Sequence, residues 1–148
     1  MTQTGGNGER FIRCIVLAKR KEGMTHEEFD RHWSEVHGAI ARHYPNVVRY
    51  SQLHLVGKGT VAELADSDWG IDGIVDFVYT SSEDIPHIWE SPAGLEGVAD
   101  SANFLSAVTE YYVDEHVVTD HIGVGRLVDY PLISEPLRYP PRDGAPES

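Results

Sequence analysis

A chain of 148 residues has room for one domain with a real core, and two comfortable domains are excluded. Twelve Lys and Arg against 24 Asp and Glu leave a formal charge of −12 with His neutral, which repels phosphate backbones and anionic membrane surfaces, so neither nucleic acid nor membrane is an expected partner. Cys14 stands alone, the opening residues lack a basic-then-apolar secretion signal, and apolar runs such as "CIVLA" are strand-length, so a cytoplasmic protein with no internal disulfide is expected.

Residues 1–9, "MTQTGGNGE", carry no apolar pattern and read as a flexible N-terminus. Regular structure begins at "RFIRCIVLAKRK", a run rich in branched residues and bounded by charge, which predicts a strand. Thr25 with Glu28 three residues on makes a capping box, and a helix follows through "HEEFDRHWSEVHGAIARHY" until Pro45 stops it. On a wheel of about 100° per residue, Phe29, Trp33, Val36 and Ile40 form the apolar stripe. His32, His37 and His43 flank it at about −60°, +80° and −40° from Phe29, a spread too wide for one tight cluster.

"NVVRYSQLHLVG" predicts the second strand, whose alternation places Val48, Tyr50, Gln52, His54 and Val56 on one face. Residues 57–69 read as a loop with a short helical turn at "TVAELAD". "GIDGIVDFVYT" is the third strand, and it sets Asp76 at its centre, where a carboxylate is costly unless paired or solvated. Such an Asp is either a pocket acid, the reading favoured here, or a dimer-contact group. Two helical pieces follow, with Ser82 as N-cap of the first and a break at Ser91-Pro92. The fourth strand is "TEYYVDEHVVT", with Tyr112, Asp114, His116 and Val118 on one face. Residues 122–148 contain Pro131, Pro136, Pro140, Pro141 and Pro146 and read as a proline-rich arm; strapping across a neighbouring subunit and a partly disordered tail stay open.

The element order β-α-β-β-α-β is that of the α+β, ferredoxin-like split unit, with helices over one face of an antiparallel sheet. Apolar side chains on both faces of the strands leave the second face to be covered by another subunit, which predicts a homodimer.

The residues then resemble a known family. Phe29, Trp33 and His37 as "F-x3-W-x3-H", Tyr50, Gln52 and His54 as "Y-x-Q-x-H", Asp72-Gly73, and Glu115-His116, in this order, look like the EthD family over about residues 11–121. The resemblance implies an EthD-like dimeric α/β-barrel domain at 10–121, with a pocket in each subunit between sheet and helices. Similar proteins include aromatic polyketide cyclases and dehydratases, methylmuconolactone isomerases, cofactor-free monooxygenases and accessory proteins of aromatic breakdown. The chain departs from the plainest members in the longer "GKGTVAELADSDWG" connection and in its C-terminal arm.

Imidazole and phenol groups supply the expected chemistry, because a His takes a proton from a carbon acid near neutral pH and a Tyr or Gln binds the oxyanion that develops. His54 is placed as the acid or base, beside Tyr50 and Gln52; the other reading of this His is a satisfied core residue. His37 and His116 assist, Asp114 being placed to orient His116. Trp33 forms an aromatic wall, and Phe29, Asp76 and Tyr112 complete the expected binding surface. No cofactor and no metal are expected: the five-residue spacing of His32 and His37 is not a helical metal pair, and no HExxH, Cys cluster, GxGxxG or Walker loop occurs. Cys14 reads as a buried small hydrophobe. The expected function is a cofactor-independent lyase or isomerase for a small aromatic or unsaturated, oxygenated compound, of cyclase, dehydratase or decarboxylase type. A cofactor-free monooxygenase of a phenol and a non-catalytic carrier of a hydrophobic metabolite are the alternatives.

Overall fold

The computed structural model describes residues 3–4, 10–59, 61–65 and 67–121. Their elements are β1 (Gln3–Thr4), β2 (Arg10–Arg20), α1 (His26–Arg31), a π-helical segment (His32–His37), α2 (Gly38–Ala41), β3 (Val47–His54), β4 (Gly73–Tyr79), α3 (Ile85–Glu90), α4 (Pro92–Phe104) and β5 (Leu105–Val113). The long strands form one antiparallel sheet in the order β3-β4-β2-β5, and β1 pairs with the start of β2. This is the α+β, ferredoxin-like arrangement. The expected flexible N-terminus therefore contributes one short ladder, Gln3 opposite Phe11 and Thr4 opposite Arg10. The proline-rich arm lies outside the described residues.

Sheet register decides which side chains meet the helices. Opposed residues of an antiparallel pair share a face, and the pairs Cys14–Phe77, Val16–Val75, Tyr50–Phe77 and Gln52–Val75 put these side chains under the helical layer. Phe29, Trp33 and Ala41 from the first helix, Ile88 from α3 and Phe104 from α4 close the core above them. Phe29 is wholly buried, with its ring 5.4 Å from Trp33 and 5.7 Å from Phe104. No helix among the described residues is long and apolar enough to cross a membrane.

Two local readings hold in detail. Thr25 Oγ1 accepts from Glu28 N at 3.1 Å while Glu28 Oε2 accepts from Thr25 N at 2.8 Å, so the capping box closes at both ends. At the helix break, Ser91 Oγ donates to Ile88 O and accepts from Gly94 N. A Cβ on Gly94 would stand 1.9 Å from Ile88 O, so only glycine lets α3 and α4 cross this closely.

Other boundaries differ. Asp84, not Ser82, occupies the N-cap of α3, and its carboxylate is already taken by the hydroxyls of Thr80 and Ser81. Within the described residues 61–65 the chain makes a turn closed by Leu64 N to Val61 O in place of a helical turn. β5 begins at Leu105, opposite Arg20, and its ladder with β2 ends at the Arg13–Val113 pair, so Asp114, His116 and Val118 lie beyond the strand.

Candidate active site

The π-helical segment builds the helical wall. Gly38 N reaches back five residues to Trp33 O, so one turn holds an extra residue and side chains five apart come to the same side. The buried stripe becomes Phe29, Trp33, His37 and Ala41, and Val36, expected within it, is turned out to 44% exposure. The wide angular spread expected for His32 and His37 is corrected by the same turn. Both rings converge on the buried carboxylate of Asp100 in α4, His37 Nδ1 at 2.9 Å from Oδ2 and His32 Nε2 at 2.9 Å from Oδ1. Asn103 Nδ2 adds a third donor to Oδ1 at 3.0 Å.

These contacts set the electrostatics. Burial works against the charged carboxylate of Asp100, yet the hydrogen bonds from Asn103, His32 and His37 hold its pKa below the usual range. Burial lowers the pKa of His37, Asp100 opposes that shift, and His32 adds to it. Neutral His37 donates from Nδ1 to Asp100, which leaves Nε2 as the acceptor. That atom has the tautomer of a base.

The sheet wall is held from behind. Gln52 Nε2 donates to Trp33 O at 2.8 Å and to Tyr50 Oη at 3.1 Å, so its Oε1 faces His54 Nε2 at 3.0 Å. His54 Nδ1 lies 2.9 Å from Asp30 Oδ1, and its ring rests 4.4 Å from the Trp33 indole. Both ring nitrogens of His54 lie within hydrogen-bond distance of oxygens, and the ring stands outside the cavity lining. Because Gln52 Nε2 donates its hydrogen bond to Tyr50 Oη, the phenol's own O–H is left to donate elsewhere. Burial raises the Tyr50 pKa and keeps the phenol protonated, with Gln52 offsetting part of the effect.

Asp72-Gly73 is explained by packing. A Cβ at Gly73 would stand 2.5 Å from Trp33 Cζ3, so the indole packs against bare backbone. Asp72 anchors the strand entrance through Arg20 N at 2.9 Å.

Between the sheet and the helices lies a cavity of about 420 Å³. Val16, Val75, Phe77 and Phe104 line its floor and one side, Trp33 and Trp89 supply aromatic walls, and His37, Tyr44, Tyr50, Ser101 and Glu110 supply polar atoms. This is the size and composition of a small-molecule site: apolar walls with few polar groups.

The structure thus brings His37, Tyr50 and Trp33 of the expected set to one cavity. Gln52 and His54 stand behind it, and Phe29 is sealed beneath Trp33. Tyr112 is 61% exposed and lines a separate groove with Ile12, Ile85 and Pro86. His116 is exposed past the end of β5. Asp76 is on the opposite face of the sheet, paired across from Ile15 and Ser51. There Arg13 grips it with Nε and Nη2 at 3.0 and 2.9 Å, and Arg49 Nε lies at 3.5 Å, so the pocket-acid reading is replaced by an ion-paired strand centre.

Asp100 and Glu110 were not singled out by sequence reasoning. Asp100 sits among small residues of "LEGVADSANF" with nothing local to mark it, and only the crossing of α4 over the π-helical segment reveals its partners. Cys14 is buried, and its thiol is pushed up to about 12 by burial, with Glu110 adding to the shift. Among the described residues, no group of three or more His, Cys, Asp or Glu side chains is arranged to hold a metal ion.

The sequence model of the EthD domain family matches residues 21–108, more than half of the chain. No curated protein matches the sequence. Among solved structures, one similar fold is an EthD family protein from Bacillus halodurans, at 18% identity and TM-score 0.56 over 72% of this chain and 99% of that one. A hydroxynitrile lyase from Passiflora edulis is similar at 18% identity and TM-score 0.54, over 72% of this chain and 96% of that one. A dabb family protein from Mesorhizobium loti is similar at 12% identity and TM-score 0.54, over 72% and 98%. At such identities the likeness is one of fold.

Proposed function

The chain belongs to the EthD family, and from that premise we propose that it is a cofactor-independent lyase or isomerase which moves a proton within a small aromatic or unsaturated, oxygenated compound. The observation that carries this reading is the His37–Asp100 pair at 2.9 Å in the wall of the cavity that Tyr50 also lines. His37 Nε2 takes a proton from a carbon acid or hydroxyl of the bound compound, and Asp100 stabilises the imidazolium that forms. The Tyr50 O–H, oriented by Gln52, donates to the oxygen on which charge develops. Return of the proton to a different atom completes an isomerisation; its delivery to a leaving hydroxyl completes a dehydration. The lowered pKa of His37 keeps the ring neutral, and so able to accept a proton, at neutral pH. Cyclase, dehydratase and decarboxylase chemistry share one need, a stabilised enolate or phenolate and a group that shuttles a proton.

We also propose that the chain works as a homodimer, with the domain at 10–121 as the subunit. The helix-free face of the sheet carries Ile15, Leu17, Leu53, Ile74, Val78 and Tyr111 around the Arg13–Asp76 pair, and Leu53 and Tyr111 are 44% and 54% exposed. An apolar face with a central ion pair suits a self-complementary contact.

The test is hydrogen–deuterium exchange, followed by NMR in D2O, on a panel of small phenolic ketones and unsaturated lactones. The protein should catalyse exchange at an enolisable carbon, and His37→Asn should slow it by about 10²–10⁴-fold while leaving ligand affinity in place. Tight binding without exchange would replace the enzyme with a carrier. Turnover that stops when dioxygen is removed would replace proton transfer with oxygenation.

A further inference from the structure

Asp100 is shared by two histidines that face different surroundings. His37 lines the cavity between sheet and helices, whereas His32 lines an outer groove with Lys21, Glu28, Arg31 and Glu35. The two rings occupy opposite oxygens of one carboxylate, each at 2.9 Å, and both lie against Phe104, His32 stacked at 5.0 Å and His37 tilted at 4.9 Å. This arrangement depends on the π-helical turn, which is what lets residues five apart reach a single carboxylate.

We propose that His32 is a positioning residue for the cavity base: it fixes Asp100 from the solvent side and, when it takes up a proton there, draws on the carboxylate charge that supports His37. A change at the outer face of the helix is thereby passed to the imidazole in the cavity wall. The inference rests on the reading of His37 as the base for its consequence in turnover, and its structural part stands apart from that reading.

The physical argument is one of shared charge. A single carboxylate balances one imidazolium well and two poorly, so protonation at one ring opposes protonation at the other. The other charged or titratable groups around the pair are Glu28, Arg31 and Glu35 on the same helix, Lys21 from the end of β2, and Tyr44 and Glu110 on the cavity side. None of these is hydrogen-bonded to Asp100, whose described donors are His32, His37 and Asn103.

The experiment is an NMR titration of the ring nitrogens of the full chain labelled with ¹⁵N-histidine, in wild type and in His32→Gln. Glutamine keeps an amide donor for Asp100 and cannot take up a proton. In wild type, His32 and His37 should each titrate in two steps with shared midpoints, the signature of coupled sites. In His32→Gln, His37 should titrate in one step displaced upward, and the pH profile of proton exchange should move with it. Independent single-step curves for the two rings in wild type would overturn the proposal, and so would a His37 curve unchanged in the variant. Should His32→Gln fail to fold, the wild-type curves alone decide between coupled and independent titration. Coupling without any proton exchange would sink the proposed function and leave the His32–Asp100–His37 linkage standing.

Discussion

Asp100→Asn removes one charge from the site, and its geometry predicts where the damage falls. Among the described residues, Oδ1 accepts two hydrogen bonds, from His32 Nε2 at 2.9 Å and Asn103 Nδ2 at 3.0 Å, and Oδ2 accepts one, from His37 Nδ1 at 2.9 Å. An asparagine keeps the most bonds by placing its oxygen at the Oδ1 position, which turns its amide nitrogen toward His37 Nδ1. Two donors then face each other unless His37 moves its proton to Nε2 and accepts at Nδ1. That tautomer carries a proton where the base should be. A bond to a charged group is worth about 1.5–3 kcal/mol and a neutral one about 0.5–1.5, so over the three bonds to Asp100, less the burial cost a neutral amide avoids, the fold should lose about 1–4 kcal/mol in chemical denaturation. Proton exchange should fall far more, toward the roughly 10⁴-fold loss that the same substitution causes in a serine-protease triad through the wrong tautomer. Exchange kinetics with ¹⁵N spectra of His37 separate the two effects. Undiminished exchange, or a His37 that still carries its proton on Nδ1, would refute the assignment of the dyad.

Gly73→Ala should cost about 1–3 kcal/mol by overpacking, because its Cβ would stand 2.5 Å from a buried Trp33 ring; intrinsic tryptophan fluorescence with urea melts would read the displacement, and wild-type stability would contradict the packing. Stability should fall in mild acid in part through His37, whose folded pKa is lowered: its contribution is present above the unfolded value near 6.5 and lost as pH falls through the folded one. His26 has the opposite sign, since Asp72, 3.4 Å from its Nδ1, raises its pKa; its contribution is present below the unfolded value and fades as pH rises through the folded one. Melts of His37→Gln and His26→Gln across pH 4–9 should therefore flatten opposite sides of the stability curve, and matching changes on one side would contradict the assignment. Leu17→Glu on the helix-free sheet face should dissociate the proposed homodimer in sedimentation, and an unaltered mass would place any subunit contact elsewhere.

The sequence made most of the fold readable because each element carried its own local signal. Thr25 and Glu28 mark a helix start through bonds three residues apart, and alternation along residues 47–54 puts Tyr50 and Gln52 on the same face wherever the strand pairs. Asp76 failed for the complementary reason. Alternation fixes which residues share a face but not which face meets the helices when both carry apolar side chains, and β4 has Val75 and Phe77 on one side with Ile74 and Val78 on the other. Arg13 could have broken the tie, since a strand-centre Asp and an Arg one strand away form a pair that a greasy pocket would not favour.

The site was less legible because it depends on a departure from helical regularity that no single residue announces. A wheel at about 100° per residue assumes one hydrogen-bond ladder throughout, and the Gly38-to-Trp33 bond breaks that assumption in the wall of the candidate site. Gln52 contributes from outside the helix, donating to the same Trp33 carbonyl that ends the turn and also to Tyr50 Oη. The strand that orients the phenol is therefore tied to the turn that orients the two imidazoles. Replacing Gln52 with Leu should disturb Tyr50 and His37 together, although His37 lies outside hydrogen-bond reach of it, and ring-nitrogen spectra of His37 unchanged in that variant would show the two walls to be independent.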